Sequence, residues 1–160
     1  MVLSSRFRST TASEPIGIDH GHDGFASNQM RENHDFWRAQ ALRQILENLV
    51  SLSFAQEELI KELPKTRVDN PRYVELPKQQ NKLKDDSKLI EDSLFALSKR
   101  NPQISADVNR NISAIHQNMD KTVKSLAARD VGEASTRMQL TMKSVNDLAL
   151  LLNESLEQMQ

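Results

Sequence analysis

Apolar residues recur at helical intervals along the chain from about Asp35 onward. In the first such stretch they form two rows, each repeating every seven residues: Leu42 with Leu49, and Leu52 with Leu59. Two rows of this kind lie on one face of an α-helix, which buries that face against neighbouring helices. Pro64 ends the pattern, because proline lacks the backbone N–H that a helix interior needs. The first predicted helix therefore covers about residues 35–63.

A second helix is predicted from the start signal at Asn70. Its side chain can cap free backbone amides, and Pro71 suits the first helical position, where the missing N–H costs nothing. The apolar rows that follow predict a helix over about residues 71–100. Pro77 lies inside its early part, so we expect either a kink there or a regular section that begins after it.

Two more helices follow with short connections. The Asn-Pro pair recurs at Asn101, and a third helix is predicted over about residues 102–128. So short a connection makes the chain reverse there, unless it merely kinks through Pro102, and we expect the reversal. Asp130 and Glu133 have the spacing of a capping box, in which the cap side chain accepts from a backbone amide and the glutamate reaches back. This box predicts a fourth helix over about residues 131–158.

Four helices of similar length joined by short links predict an all-α fold, namely an antiparallel four-helix bundle. Paired long helical hairpins that associate with another copy, or with more chain, are the alternative. The packing would be coiled-coil-like in either case, because the same apolar stripes serve both arrangements. The residues predicted to form the core seam are Leu42, Leu49, Leu52, Leu59, Leu83, Ile90, Leu94, Leu97, Ile112, Ile115, Met119, Val145 and Leu152. Oligomeric state and handedness stay open at this point.

Residues 1–34 differ from the rest of the chain, since they lack an apolar period and are rich in Ser, Thr and Asn. We interpret them as a flexible, disordered tail that precedes a helical domain over residues 35–160. His20 and His22 are flanked by carboxylates and are weak candidates for metal ligands. Without rigid support such a site would bind weakly, so no metal or other cofactor is predicted.

The composition of the chain argues against several classes of function. The 160 residues are 38% apolar and 27% charged, with a net charge of −1 and no cysteine. A balanced charge lacks the basic excess that non-specific nucleic-acid binding needs. The absence of cysteine excludes disulfides and thiolate chemistry but leaves the compartment unknown. No apolar run reaches the roughly 20 residues that a transmembrane helix requires.

Charged side chains are densest in the second helix, around Asp85, Asp86, Glu91 and Asp92. With the apolar seam turned inward, these carboxylates are predicted to lie on or beside the outer face and to pair with lysines along the helix. A catalytic site would instead need acids that converge from different helices into a shielded cavity. We therefore predict a solvated face and no enzymatic activity.

One residue supports a different function. His116 could be the exposed phosphoacceptor of a four-helix phosphotransfer domain. That family usually has a basic residue and a glycine three to four places after its histidine, where this chain has Met119 and Asp120. The simpler interpretation is a surface or boundary histidine beside Ile115.

Three polar residues occupy positions of the predicted seam: Gln56, Gln80 and Ser87. A buried polar group without a hydrogen-bond partner costs about 1–3 kcal/mol, so these side chains need partners. They are expected to fix the register of neighbouring helices, unless the seam is partly hydrated.

Three stretches resemble a known family: LRQILENLVSLSFAQEELI, NPRYVELPKQQNKLKDDSKLIEDSLFALSKRNPQI and NDLALLLNESLEQMQ. They are similar to the helical segment near the C-terminal part of large, uncharacterised, membrane-anchored bacterial proteins that carry a domain of unknown function. The resemblance covers Phe36 to Gln160 and is most specific in KDDSKLIEDSLFALSKR; Pro77 departs from it, because the family helix ordinarily runs on there. It implies an excerpt of an envelope-associated coiled protein and supplies no catalytic residues.

These observations together predict a non-catalytic structural or interaction module. Its partner would be another protein, or a second copy of the chain, held through the helices. Affinity would come from burial of apolar stripes, at about 25 cal/mol per Å².

Overall fold

The computed structural model describes the backbone of residues 21–159 and the side chains of residues 24–159. Within this range the chain forms four α-helices and two short 3-10 turns, with no strand, which confirms the all-α prediction. The α-helices are α1 (Gly21–Glu62), α2 (Glu75–Arg100), α3 (Pro102–Ala127) and α4 (Val131–Gln158). The two turns, Leu63–Lys65 and Pro71–Val74, lie in the connection between α1 and α2.

Helix α1 begins at Gly21, whereas the sequence pattern predicts its start near residue 35. Residues 24–36 are all exposed, so this part of the helix has no buried stripe that an apolar period could reveal. The prediction of a tail through residue 34 therefore fails for residues 21–34, which are helical, and its remainder lies outside the described residues. The chain divides into two units, of which the second, Asp35–Gln160, contains the buried core.

The start of α2 explains how Pro77 is accommodated. Asn70 Oδ1 accepts a hydrogen bond from the backbone N–H of Arg72 at 2.9 Å, as the capping signal predicts. This cap begins the 3-10 turn, and α2 itself begins at Glu75 rather than at residue 71. Pro77 is then the third residue of α2, where a backbone N–H has no acceptor within the helix. Of the two predicted outcomes, a later start of the regular helix is the one observed.

Helices α2 and α3 are antiparallel and joined by a single residue, Asn101. Two charge contacts between them establish the direction. Glu91 of α2 contacts His116 of α3, and Lys84 of α2 contacts Asp120 of α3, so moving backward along one helix means moving forward along the other. The predicted reversal at Asn101 is therefore present.

The connection between α3 and α4 combines a C-cap with an N-cap. Arg129 takes the left-handed conformation, with φ at 61°, and Asp130 N donates to Ser125 O at 2.9 Å, which is the closing bond of a Schellman motif. Asp130 Oδ1 then accepts from Glu133 N at 3.1 Å, so half of the predicted capping box forms. The other half does not, because the Glu133 carboxylate instead accepts from Arg137 Nε at 2.6 Å.

The four helices meet around one interior. A small cavity of about 10 Å³ is lined by residues of all four helices, which places the centre of a single-chain bundle there. Every residue of the predicted core seam is buried, with no more than 8% of its surface exposed. The repeat of three and four residues thus marks the inward face of each helix.

One layer of this interior is polar. Gln56 and Gln80 are fully buried and exchange two hydrogen bonds between their side-chain amides, each 2.9 Å long. Thr122 and Thr141 are also fully buried, and their hydroxyls donate to carbonyls of their own helices. Each of the four polar residues lies seven positions from a residue that lines the cavity: Leu49, Ser87, Ile115 and Leu148. The repeat of seven therefore places the four polar side chains, one from each helix, at a common level.

The helices are unequally spaced. Cα atoms approach within 8 Å along the α2–α3 and α3–α4 pairs, whereas α1 comes this close to another helix at isolated points at most. The buried side chains explain the difference, since α3 and α4 bury small residues such as Ser125 and Ala134, and α1 buries leucine, isoleucine and glutamine. Small side chains let backbones approach, while long ones hold them apart.

Candidate functional site

The acidic stretch of α2 does not form a converging carboxylate site. Asp85, Asp86 and Asp92 are exposed, as predicted, but Glu91 is half-buried and faces α3. A position beside an apolar row faces solvent only where no neighbouring helix covers it, and α3 covers this one. The prediction that Glu91 lies on or beside the outer face, paired along its own helix, was therefore wrong.

In this acidic stretch, two charge contacts link α2 to α3 in place of the predicted pairs with Lys82 and Lys88 along α2. Lys84 Nζ donates to the carboxylate of Asp120, and this hydrogen bond is the main cause that lowers the pKa of Asp120 from its usual 3.8. Burial is the second-largest effect and raises the pKa of Asp120, while the positive charges of Lys84 and Lys124 lower it further. Asp120 is thus held ionised by the basic side chains around it.

His116, the alternative phosphoacceptor, lies on α3 four residues before Asp120. Its Nε2 atom is buried and lies 2.5 Å from Glu91 Oε2, although the contact lacks the alignment of a hydrogen bond. Both residues line the small central cavity, whose volume is at the lower limit for one water molecule. One of the two imidazole nitrogens that could accept a phosphoryl group is therefore covered by a carboxylate.

A wide surface groove runs between α1 and α2, and we call it the α1–α2 groove. It consists of two adjacent depressions of about 410 and 420 Å³, whose linings share Ala55, Lys82 and Leu83. Buried leucines and Ile90 form its floor, and Leu89, with 71% of its surface exposed, stands at one edge. The groove is the surface consequence of the long side chains that hold α1 away from α2. The residues that line it are Asn48, Ser51, Leu52, Ala55, Glu58, Leu59, Glu62, Gln79, Lys82, Leu83, Asp86, Leu89 and Ile90.

Large apolar side chains are also exposed on α1 away from the seam. Phe36 and Phe54 are 54% and 63% exposed and lie eighteen residues apart, which is five full turns, so they share one line along the helix. Trp37 contacts Phe36 edge to face, with ring centroids 5.6 Å apart. Single exposed apolar residues are common on soluble proteins, so these side chains alone do not define a site.

The described part of the chain shows neither a metal-ligand cluster nor a membrane-spanning helix. Among the side chains of residues 24–159, no group of three or more potential ligands lies close enough to hold a metal ion. The candidate ligands His20 and His22 have side chains outside the described residues. None of the described helices is both long and apolar enough to cross a bilayer.

Comparison with known proteins gives no relative from which a function could be transferred. No family model, no curated protein and no solved structure matches the chain.

Sequence reasoning did not identify the α1–α2 groove. Its lining combines seam residues such as Leu59 and Leu83 with flanking residues such as Ala55 and Asp86. A signal was present in Ala55, since a small residue beside a seam of leucines leaves space that a larger side chain would fill. That signal requires knowing that α1 and α2 are neighbours, which the apolar period does not show.

Proposed function

We propose that this chain is a non-catalytic helical module that binds a helix of a partner protein. The observation that carries the proposal is the α1–α2 groove, which consists of two adjacent depressions floored by apolar side chains and bordered by polar ones. A groove of this form suits the binding of an amphipathic helix, whose apolar stripe contacts the floor while its polar flanks meet the rims.

The size of the groove agrees with this mode of binding. The lining residues on α1 extend from Asn48 to Glu62, a rise of roughly 21 Å at 1.5 Å per residue. A partner helix of about four turns would cover that length. Each 100 Å² of apolar surface that it removes from water would contribute about 2.5 kcal/mol before the entropy of association is subtracted.

The sequence resemblance to membrane-anchored bacterial proteins belongs to the same proposal. It would place the module within an envelope-associated coiled protein, where helices of the same or of a neighbouring protein are natural occupants of such a groove.

Phosphotransfer through His116 is the rival from another class. What favours helix binding over it is that Nε2 of His116 is buried against Glu91, so a phosphoryl donor could reach this nitrogen only after Glu91 moves. Incubation with acetyl phosphate followed by mass spectrometry tests this choice. A phosphoryl group found on His116 would overturn the proposal.

The helix-binding proposal is tested with synthetic amphipathic peptides of about 18 residues, each with leucines on one face. Three versions carry lysine, glutamate or glutamine beside the leucine stripe, and binding to the 160-residue chain is followed by fluorescence anisotropy. We expect saturable 1:1 binding of at least one peptide. We also expect Ala55→Trp, which places a large side chain in the groove, to weaken that binding at least tenfold.

The matched control is Ala106→Trp, because Ala106 is exposed on α3 and does not line the groove. Circular dichroism of both variants verifies that the helices are retained. Binding of none of the three peptides, or equal weakening by the two tryptophan variants, would contradict the proposed function.

A further inference from the structure

We infer that the helix bound in the α1–α2 groove is basic, with lysine or arginine on both flanks of its apolar stripe. This inference rests on the proposed function and adds the chemistry of the partner. It is argued from the charges that line the groove and from their positions along it.

The groove has an excess of negative charge. Glu58, Glu62 and Asp86 line it, whereas Lys82 is its one basic lining residue. Lys61 contacts Glu58 at 3.5 Å, but it also contacts Glu57 at 3.4 Å. Adding this neighbouring lysine and glutamate to the balance leaves the excess of two negative charges unchanged.

Two of these carboxylates are available to a partner. Among residues 24–159, neither Glu62 nor Asp86 forms an ion pair, and both are exposed. The expected pairing of Asp86 with Lys82 along α2 is also absent from this range, so both carboxylates are accessible to another molecule. A cation from a bound helix would therefore meet these carboxylates without first having to break an internal ion pair.

The two carboxylates stand on opposite walls and at different heights. The hydrogen bonds between Gln56 and Gln80 show that these residues are level, which puts Asp86 of α2 level with about residue 50 of α1. Glu62 then lies roughly 18 Å further along the groove. A partner helix would present its basic residues about eleven or twelve positions apart, one on each flank of the apolar stripe.

Lys82 lies between the two carboxylates along the groove and adds a second element of recognition. A basic residue at the middle of the partner helix would face this ammonium group and be repelled, whereas an acidic or neutral residue would be accepted there. Charge placed in this order distinguishes one register of the partner helix from a register shifted by a turn.

The three synthetic peptides described above test this inference. We expect the lysine-flanked peptide to bind at least tenfold more tightly than the glutamate-flanked peptide at low ionic strength, and the ratio to shrink as salt is raised. The charge reversals Glu62→Lys and Asp86→Lys, made together, should invert the order of the two peptides. Asp92→Lys with Glu154→Lys is the matched control, because both of these exposed carboxylates lie outside the groove.

The outcomes separate this inference from the function on which it rests. Equal binding of the three peptides, blocked by Ala55→Trp, would overturn the basic partner and leave a helix-binding groove. Binding of no peptide would overturn both. Concentration-dependent dimerisation that Ala55→Trp abolishes would assign the groove to a second copy of this chain and would overturn the basic partner as well.

Discussion

The two fully buried glutamines favour one alignment of α1 with α2. Gln56 and Gln80 satisfy each other through two reciprocal hydrogen bonds, at positions where leucine would bury apolar surface instead. A polar pair of this kind selects one register of α1 against α2, because any shift leaves buried amide groups without partners. The pair is therefore expected to be less stabilising than two leucines would be, but it fixes the alignment of the two helices that form the groove.

Replacing one glutamine should cost more than replacing both. Gln56→Leu leaves the amide of Gln80 buried without its partner, so we expect a loss of about 1–3 kcal/mol in the free energy of unfolding, and the same for Gln80→Leu. The double variant should recover most of that loss. Urea unfolding of the four proteins gives the coupling energy, and Gln117→Leu, at an exposed position on α3, should change stability by no more than about 0.5 kcal/mol. Additive losses would show that the two amides do not depend on each other.

Asp120 makes part of the stability depend on pH. Its pKa is lowered in the folded state by the hydrogen bond and charge of Lys84, so the ionised form stabilises the fold. That contribution is fully present above the unfolded pKa of about 3.8 and is lost as the pH falls through the lower folded value. Asp120→Asn should therefore lose stability at neutral pH and lose less than the parent protein on acidification from about pH 4 to about pH 2.

The measurement for Asp120 is the urea midpoint as a function of pH. Asp85→Asn serves as the control, because Asp85 is an exposed carboxylate without an ion pair among residues 24–159. An acid profile of Asp120→Asn that runs parallel to that of the parent would show that the Lys84 contact contributes nothing to stability.

At the scale of the helices, side-chain size at the contacts decides how closely each pair packs. Ala134 is fully buried in α4, where the backbones of α3 and α4 are close, whereas Ala55 is half-buried where α1 and α2 are apart. The same added side chain should therefore have opposite consequences in the two places.

This difference gives a direct test of the helix spacing. Ala134→Leu forces extra atoms into a closely packed contact and should cost about 1–3 kcal/mol in the free energy of unfolding. Ala55→Leu extends into the open groove and should change stability by no more than about 0.5 kcal/mol. Thermal or urea unfolding of both variants measures the contrast, and an equal loss from the two substitutions would mean that α1 and α2 are as closely packed as α3 and α4.

The elements that the sequence predicts well are those marked by burial or by local hydrogen bonds. The rows through Leu49 and Leu94 identify inward faces because burial imposes the helical period, and Asn70 identifies a helix start because its side chain serves the adjacent turn. Glu91 was misplaced because a position beside the seam can face either water or a neighbouring helix. The sequence did not predict the first turns of α1, because an exposed helix needs no apolar period. It did not predict the groove, because the spacing between two helices depends on the side chains of both.

At the scale of the whole molecule, the buried rows of all four helices are covered within one chain. Residues of α1, α2, α3 and α4 line the same central cavity, and the buried row of each helix faces that interior. Paired hairpins, by contrast, would leave half of these rows to be covered by another copy.

We therefore expect the 160-residue chain to be a monomer with the mass of one chain, 18.2 kDa, in sedimentation equilibrium or light scattering. Helicity measured by circular dichroism should not change on dilution, because the buried row of each described helix is already covered by other helices of the same chain. A mass of two chains that persists on dilution, with loss of helicity where the dimer finally dissociates, would show that the seams are completed between molecules. In that case the wide spacing between α1 and the neighbouring helices would arise because α1 packs against another copy. If the chain is a monomer, the same spacing is due to the buried leucine, isoleucine and glutamine side chains of α1.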